Sequence, residues 1–235
     1  MAKWLSNRRG TSGACMATAL ITGFEGYGGR GRNPSGETAL ALNGRTIAGV
    51  RVAGRRLPVS FSRLAAGFEG LFDEVEPDIV ISVGLWPGEP MIRFERIGIN
   101  VADFEIPDNE GTVRSDEPLS ASGSVAMLAT LPNREIRDAL LLAGIPARIS
   151  ATAGTFLCNA ALYTTLSLAA RKRRPPLTGF VHVPYLPEQV AELLQSIETA
   201  RQLELHQRAD TASMDSAMMV RALEIAVATA AKHLT

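Results

Sequence analysis

One cysteine in this chain stands where a thiol could act as a nucleophile. Residues 150–174 read SATAGTFLCNAALYTTLSLAARKRR, the pattern of a strand, a tight turn and a helix with Cys158 in its first turn. Leu157, Ala161, Leu162, Leu166 and Ala169 recur at helical spacing. Thr155 is the expected N-cap, which puts Phe156, Leu157 and Cys158 where backbone N–H groups lack intrahelical acceptors and the helix dipole is positive. Such a position lowers a thiol pKa and offers donors to an oxyanion. A lone cysteine also serves as a small buried hydrophobe, and position alone does not choose between the two. A thiol nucleophile further needs a base, and the chain has 3 histidines. His206 lies in the charged segment LELHQR and His233 near the chain end, whereas His182 sits in the strand-like run GFVHVPYLP. His182 is therefore the one base the sequence offers, although an imidazole between Val181 and Val183 also suits a core. A nucleophile in the first turn of one helix and a base on the next strand would suit acyl transfer.

Other elements must bring these two side chains together. An apolar strand over residues 16–22 leads into the glycine-rich loop GFEGYGGRGRNP. Asn33 as N-cap and Pro34 at the first helical position then open a helix to Leu42, closed by Asn43-Gly44. Gly26, Gly28 and Gly31 match the spacing of a dinucleotide fingerprint. No Asp or Glu occurs between Glu37 and Glu69, however, so the acid that would hold a ribose is missing. The glycines fit better a loop that lets Phe24 and Tyr27 crowd around a small ligand, or a plain surface loop. Residues 50–59 form a second strand, and residues 62–75 a helix with Leu64, Phe68, Leu71 and Phe72 on one face. Residues 79–83 (IVISV) are a continuous apolar run, as in a strand covered on both faces.

This alternation predicts an α/β fold with a largely parallel sheet and helices on both sides. Ligands then sit beyond the carboxyl ends of the strands, which places the loops after Thr22, Val83 and Ile149 at one rim. MIRFERIGIN, residues 91–100, alternates enough for a strand or ribbon, and in isolation its Arg93, Glu95 and Arg96 read as a solvated edge. Asn133 is expected to cap a helix through Ala143, followed by a short buried strand over residues 145–149. Residues 187–207 and 213–233 are two closing helices.

Bulk properties narrow the function further. At 235 residues with zero formal net charge, the chain fits one domain and carries no signal for a nucleic-acid or membrane partner. Its 2 cysteines are too few for a disulfide framework and point to a reducing, cytoplasmic setting. No apolar run reaches the roughly 18–20 residues that span a bilayer. Residues 1–15 are polar and patternless and read as a disordered extension, leaving a single domain over residues 16–235. The few, scattered histidines provide no metal constellation, and no cofactor is expected.

Taken together, Cys158, His182 and their flanks resemble pyroglutamyl peptidase I, or pyrrolidone-carboxylate peptidase, a family of cysteine peptidases. Four stretches carry the likeness: TGFEGYGGRGRNPS, ERIGINVADFEIPDNEG, ATAGTFLCNAALY and GFVHVPYLPEQ. The resemblance implies an α/β/α sandwich with a mixed, mostly parallel sheet and no metal or cofactor. It implies a cytoplasmic enzyme, often a homotetramer, that removes an N-terminal pyroglutamyl residue from peptides. By position, Cys158 is the nucleophile, His182 the general base and later acid, and Glu95 the carboxylate that orients the imidazole. Phe24 and Tyr27 would line the lactam pocket with Asn33 nearby.

Two departures touch the implied site. Where many bacterial members have Gly-Gln-Ala-Gly-Gly-Arg, this chain has Gly84-Leu85-Trp86-Pro87-Gly88-Glu89, so Leu85 and Trp86 reshape a pocket wall. Where they have Ala-Arg-Ile-Pro-Asp-Asn, it has Phe104-Glu105-Ile106-Pro107-Asp108-Asn109, exchanging a cation for Glu105. The altered loop keeps two alternatives in view: a related thiol amidohydrolase of another small lactam or acyl-amine, and a weakly active or inactive binding protein that retains the pocket.

Overall fold

The computed structural model describes residues 16–200 and 211–234. The extension expected over residues 1–15 and the continuation of the first closing helix past Ala200 lie outside the described residues. In chain order the elements are β1 (Thr18–Phe24), α1 (Pro34–Ala41), β2 (Thr46–Ile47), β3 (Val50–Leu57), α2 (Phe61–Val75), β4 (Ile79–Leu85), β5 (Ile92–Glu95), β6 (Ile97–Ile99), β7 (Ala102–Phe104), β8 (Arg114–Glu117), β9 (Ala126–Leu128), α3 (Asn133–Leu142), β10 (Ala147–Ser150), α4 (Leu157–Ala170), β11 (Leu177–Val183), α5 (Pro187–Ala200) and α6 (Ser216–Ala231). Seven strands form one sheet in the order β10-β5-β11-β4-β1-β3-β2. The pairs β6·β9 and β7·β8 are separate two-stranded ribbons.

The sheet is mixed and mostly parallel, as expected. β11, β4, β1 and β3 run parallel, while β5 is antiparallel to β11 and parallel to β10, and β2 is antiparallel to β3. Strand periodicity assigns the two faces, because successive side chains point to opposite sides. Ala19, Ile21, Ile79, Ile81, Val83, Ile92, Phe94, Val181 and Val183 pack with residues of α1, α3 and α6. Leu20, Phe24, Val80 and Phe180 pack with Leu64, Phe68 and Phe72 of α2 and the buried side of α4. Residues of the second parity that are not apolar therefore lie on the side of the sheet that carries α2 and α4: Thr22, Ser82, Gly84, Arg93, Glu95 and His182.

Three expectations need correction. Helix α4 begins one residue later than expected, with Phe156 and not Thr155 as its N-cap. Thr155 Oγ1 instead donates to the Asp103 carbonyl at 2.5 Å, so its hydroxyl is committed elsewhere. Likewise Asn133 is the first helical residue of α3, and the cap position is Pro132. The largest correction concerns direction. β10 is antiparallel in sense to β11, β4 and β1, so its carboxyl end points away from the rim on which β1 and β4 end. The chain returns to that rim through residues 151–156, a longer path than the tight turn expected before Cys158.

Candidate active site

Three stretches of chain converge where β1, β4 and β11 end. The loop after β1 is held by its own glycines: a Cβ on Gly26 would lie 2.1 Å from the Arg30 carbonyl oxygen, and Gly28 and Gly29 have φ of 59° and 77°. Asn33 caps α1 as expected, accepting from the Ser35 N–H at 3.1 Å and donating to the Glu25 carbonyl at 2.9 Å. Asn109 from the IPDNEG turn donates to Glu25 Oε1 at 3.0 Å and to the Gly26 carbonyl at 2.9 Å. Two of the motifs noted in the sequence are thus tied to each other.

Cys158 is the second residue of α4, so it remains in the first turn despite the shifted cap. Asn159, fully buried beside it, bonds the Ile99 N–H, the Ile99 carbonyl and the Val101 carbonyl at 2.9, 2.9 and 3.0 Å. These bonds pin α4 to the chain between β6 and β7. The sulfur stands over Gly84 of β4: a Cβ on Gly84 would be 2.8 Å from Cys158 Sγ and 2.8 Å from Phe180 Cζ. In the β4·β11 register the partner of Gly84 is His182.

His182 is fully buried. Its Nδ1 lies 2.8 Å from Glu95 Oε1. A carboxylate can only accept, so Nδ1 carries the proton and Nε2 is the bare acceptor. That Nε2 is buried and without a hydrogen-bond partner among the described residues. Glu95 is fully buried at the end of β5, diagonal to His182 across the β5·β11 ladder, where the direct partner of His182 is Arg93. Arg93 and Glu95 are therefore interior, contrary to the solvated edge their sequence suggested in isolation; Arg96 alone of the three is exposed.

Burial sets the protonation of the resting pair. Cys158 as a residue is half-buried, and the desolvation of its sulfur pushes the thiol from 9.0 to about 12, with the Glu95 charge adding to the rise and Arg93 opposing it. Burial also pulls the His182 imidazole below its ordinary value, against the pull of the Glu95 hydrogen bond and charge. Thiol and neutral imidazole coexist at neutral pH. The lowered thiol pKa expected from a helix start is not found, because desolvation of the sulfur dominates.

A hollow beside the sulfur is lined by Phe24, Tyr27, Asn33, Val59, Leu85, Phe156, Leu157 and Cys158. All four residues expected there, Phe24, Tyr27, Asn33 and Leu85, contribute. The rings of Tyr27 and Phe156 are 6.2 Å apart, and Phe104 meets Phe156 edge-on at 4.8 Å. Burial raises the Tyr27 phenol to about 12, so it is a neutral donor. The arrangement offers a small uncharged ring an apolar slot beside a thiol, a bare imidazole nitrogen and a buried carboxylate.

The sequence profile for pyroglutamyl peptidase matches residues 17–233. The chain belongs to the pyroglutamyl peptidase family. It is 44% identical over 173 residues to the pyrrolidone-carboxylate peptidase of Pyrococcus furiosus, covering 74% of this chain and 83% of that one. It is 42% identical over 216 residues to pyrrolidone-carboxylate peptidase 2 of Photorhabdus laumondii, covering 92% of each. Its backbone is similar to the crystal structure of the Pyrococcus furiosus pyrrolidone carboxyl peptidase, with TM-score 0.85 and 38% identity over 93% of this chain and 100% of that chain.

Within this family's fold, the departures noted in the sequence fall in different places. Leu85 lines the hollow, and Trp86 packs beside His182 with ring centres 4.9 Å apart. Glu105 is exposed and is not among the residues lining the hollow. Phe156, Leu157 and Val59 were not anticipated as lining residues. The Phe156 and Leu157 positions were legible as first-turn neighbours of Cys158, but their apolar character read as helix packing. Glu89 does not line the hollow but is buried beside Arg93 at 3.5 Å, and its visible signal was an acid beside a glycine and proline in a rim loop.

Proposed function

We propose that this chain is a cysteine peptidase that hydrolyses the amide bond following an N-terminal pyroglutamyl residue, with the activity carried by one domain from residue 16 onward. Membership of the family supports this reading. The observation that carries it is the His182–Glu95 hydrogen bond, which leaves Nε2 bare on the strand paired with Gly84, over which the Cys158 sulfur stands.

In this reading the lactam ring enters the hollow between Phe24, Tyr27 and Phe156. An uncharged ring asks for apolar contact and a few directed hydrogen bonds, which this lining supplies. The Cys158 thiol passes its proton to His182 Nε2, and the sulfur attacks the pyroglutamyl carbonyl carbon. Glu95 stabilises the imidazolium that forms. The oxyanion is held by first-turn N–H groups of α4, including that of Cys158. As the tetrahedral species collapses, the C–N bond breaks and the imidazolium gives its proton to the departing amine. Water, deprotonated by His182, then cleaves the thioester and releases pyroglutamate, restoring the thiol. Proton transfer is thus coupled to attack, which suits a nucleophile whose thiol is protonated at rest.

A thiol with this role needs a reducing compartment, and we place the enzyme in the cytoplasm. We also read it as a homo-oligomer: Val125, Leu128 and Leu142 are 85%, 65% and 91% exposed, apolar side chains that a second copy would cover.

The test is release of a chromogenic amine from its pyroglutamyl derivative by the wild type and by Cys158→Ala. Turnover that disappears in the variant supports the proposal. Absent turnover with a thiol still alkylated quickly by iodoacetamide indicates an amidohydrolase of another small lactam or acyl-amine. Absent turnover with a sluggish thiol indicates a binding protein.

A further inference from the structure

We propose that Arg93, held by Trp86 and Glu89, is a positioning residue that fixes the Glu95 carboxylate and, through it, the His182 imidazole. This rests on the catalytic reading above. Arg93 is 5% exposed, and its guanidinium is occupied on every side. Its Cζ lies 3.9 Å from the centre of the Trp86 ring. Its Nη1 is 3.5 Å from Glu89 Oε2, and its Nη2 donates to the Thr152 carbonyl. Its Nε is 2.6 Å from Glu95 Oε1, yet that N–H is not aligned for a hydrogen bond. The contact with Glu95 is therefore one of charge at short range.

Glu95 needs such a restraint. Its Oε1 takes both His182 Nδ1 and the Arg93 charge, while its Oε2 has no hydrogen-bond partner among the described residues. A carboxylate held at a single oxygen can swing, and the cation on the same oxygen limits that motion. Trp86 gives the guanidinium a second line to the imidazole. Arg93 stacks on the indole face, and His182 meets the indole at 76° with centres 4.9 Å apart. Glu89 is 3% exposed and receives two further bonds from Arg148, Nε to Oε1 at 3.0 Å and Nη2 to Oε2 at 2.5 Å. The cluster thus holds two carboxylates and two guanidiniums, and its formal charges cancel.

The groups facing Glu95 are Arg93 on its own strand, His182 from β11, Cys158 from α4 and, beyond Arg93, Glu89 and Arg148. Arg93 is the nearest cation, and its charge opposes imidazolium and favours thiolate. Removing it moves both titrations to higher pH.

Arg93→Gln alone leaves buried Glu95 without its cation and the cluster with one uncompensated negative charge, and can fail to fold. The test therefore uses the charge-balanced pair Arg93→Gln with Glu89→Gln, checked for a cooperative unfolding transition, beside Arg93→Lys. Two readouts are taken: pyroglutamyl-amide kinetics against pH, and the pH profile of Cys158 alkylation by iodoacetamide. The expected result is a kcat at least tenfold lower with KM within threefold, and an acid limb moved to higher pH in both readouts. Arg93→Lys, which keeps the charge but not the planar stack, should lie between. Wild-type kcat and an unmoved acid limb in the folded double variant would overturn the proposal, as would a raised KM at unchanged kcat. If the wild type lacks pyroglutamyl turnover, the functional reading fails by itself. The alkylation profile then still decides whether Arg93 governs the pair.

Discussion

Gly84→Ala should disable the enzyme while sparing the fold. A Cβ at this position would stand 2.8 Å from Cys158 Sγ and 2.8 Å from Phe180 Cζ, against the roughly 3.5–4.0 Å at which nonbonded carbons are comfortable. Relief requires about 0.7–1.2 Å of movement by the same measure. Rotation of Cys158 about its single side-chain torsion relieves the contact with the sulfur, while the contact with the fully buried Phe180 ring remains and strains the packing. A displacement near 1 Å of a reacting group costs on the order of 10²-fold in rate, while overpacking of this kind costs about 1–3 kcal/mol in stability. The assay is kcat/KM on a pyroglutamyl chromogenic amide, together with urea unfolding of Gly84→Ala in the wild-type and Cys158→Ala backgrounds. Removing the sulfur should recover part of the stability loss. A folded Gly84→Ala enzyme within threefold of wild-type kcat/KM, or an equal stability cost in both backgrounds, would refute the placement of the sulfur over this glycine.

His182→Ala should abolish turnover, and Glu95→Gln should leave a reduced residual rate because an amide oxygen still accepts from Nδ1 without balancing the imidazolium; steady-state kinetics on the two variants checks this order. Asn159→Ala should lower stability by about 2–3 kcal/mol, since it strips partners from three half-buried backbone groups of Ile99 and Val101, read by chemical denaturation at fixed pH. Stability should also fall at both pH extremes. The folded-state pKa of His182 is depressed, so its share is present above the ordinary 6.5 and is lost as pH falls from there toward the lower folded value. Cys158 is raised from 9.0 to about 12, so its share is present below 9.0 and is lost as pH rises through that interval. Cys158→Ala should flatten the alkaline limb alone in a pH series of unfolding curves.

Scarcity made much of this site legible in the sequence. With one cysteine inside the patterned chain and one histidine on a buried strand, Cys158 and His182 had few rivals, and the glycine-rich loop announced Phe24 and Tyr27. Glu95 was different. Its neighbours Arg93 and Arg96 made a charged cluster that reads as surface, and only the family resemblance lifted it out. Yet Arg93 and Glu95 are two apart on a strand whose alternate residues, Ile92 and Phe94, are apolar. Opposite charges sharing one face of a short strand can be an internal pair as readily as an edge, and here Trp86 and the chain at Thr152 cover that face. The direction of β5 and β10 could not be read at all. Strands of four residues carry no directional signal, and the strand–helix alternation before them argued for a parallel continuation. The late start of α4 was equally hidden, because Thr155 is a good N-cap by composition and only tertiary contact with Asp103 diverts its hydroxyl.

That reversal of β5 is what completes the site. His182 is the middle of a three-strand row whose other members are Gly84 on β4 and Arg93 on β5. The β4 side contributes space, because a residue without a side chain lets the sulfur of Cys158 descend from α4. The β5 side contributes charge, and because β5 runs against β11, its next residue on the same face, Glu95, lies toward Phe180 and away from the rim. The carboxylate therefore approaches Nδ1 from the dry interior, and Nε2 is left without a hydrogen-bond partner among the described residues. In a parallel β5 starting from the same register, Glu95 would lie toward the rim, where water competes for its oxygens and its bond to the imidazole weakens. An acid at position 95 and a histidine at position 182 thus become a hydrogen-bonded pair only through the direction of one four-residue strand.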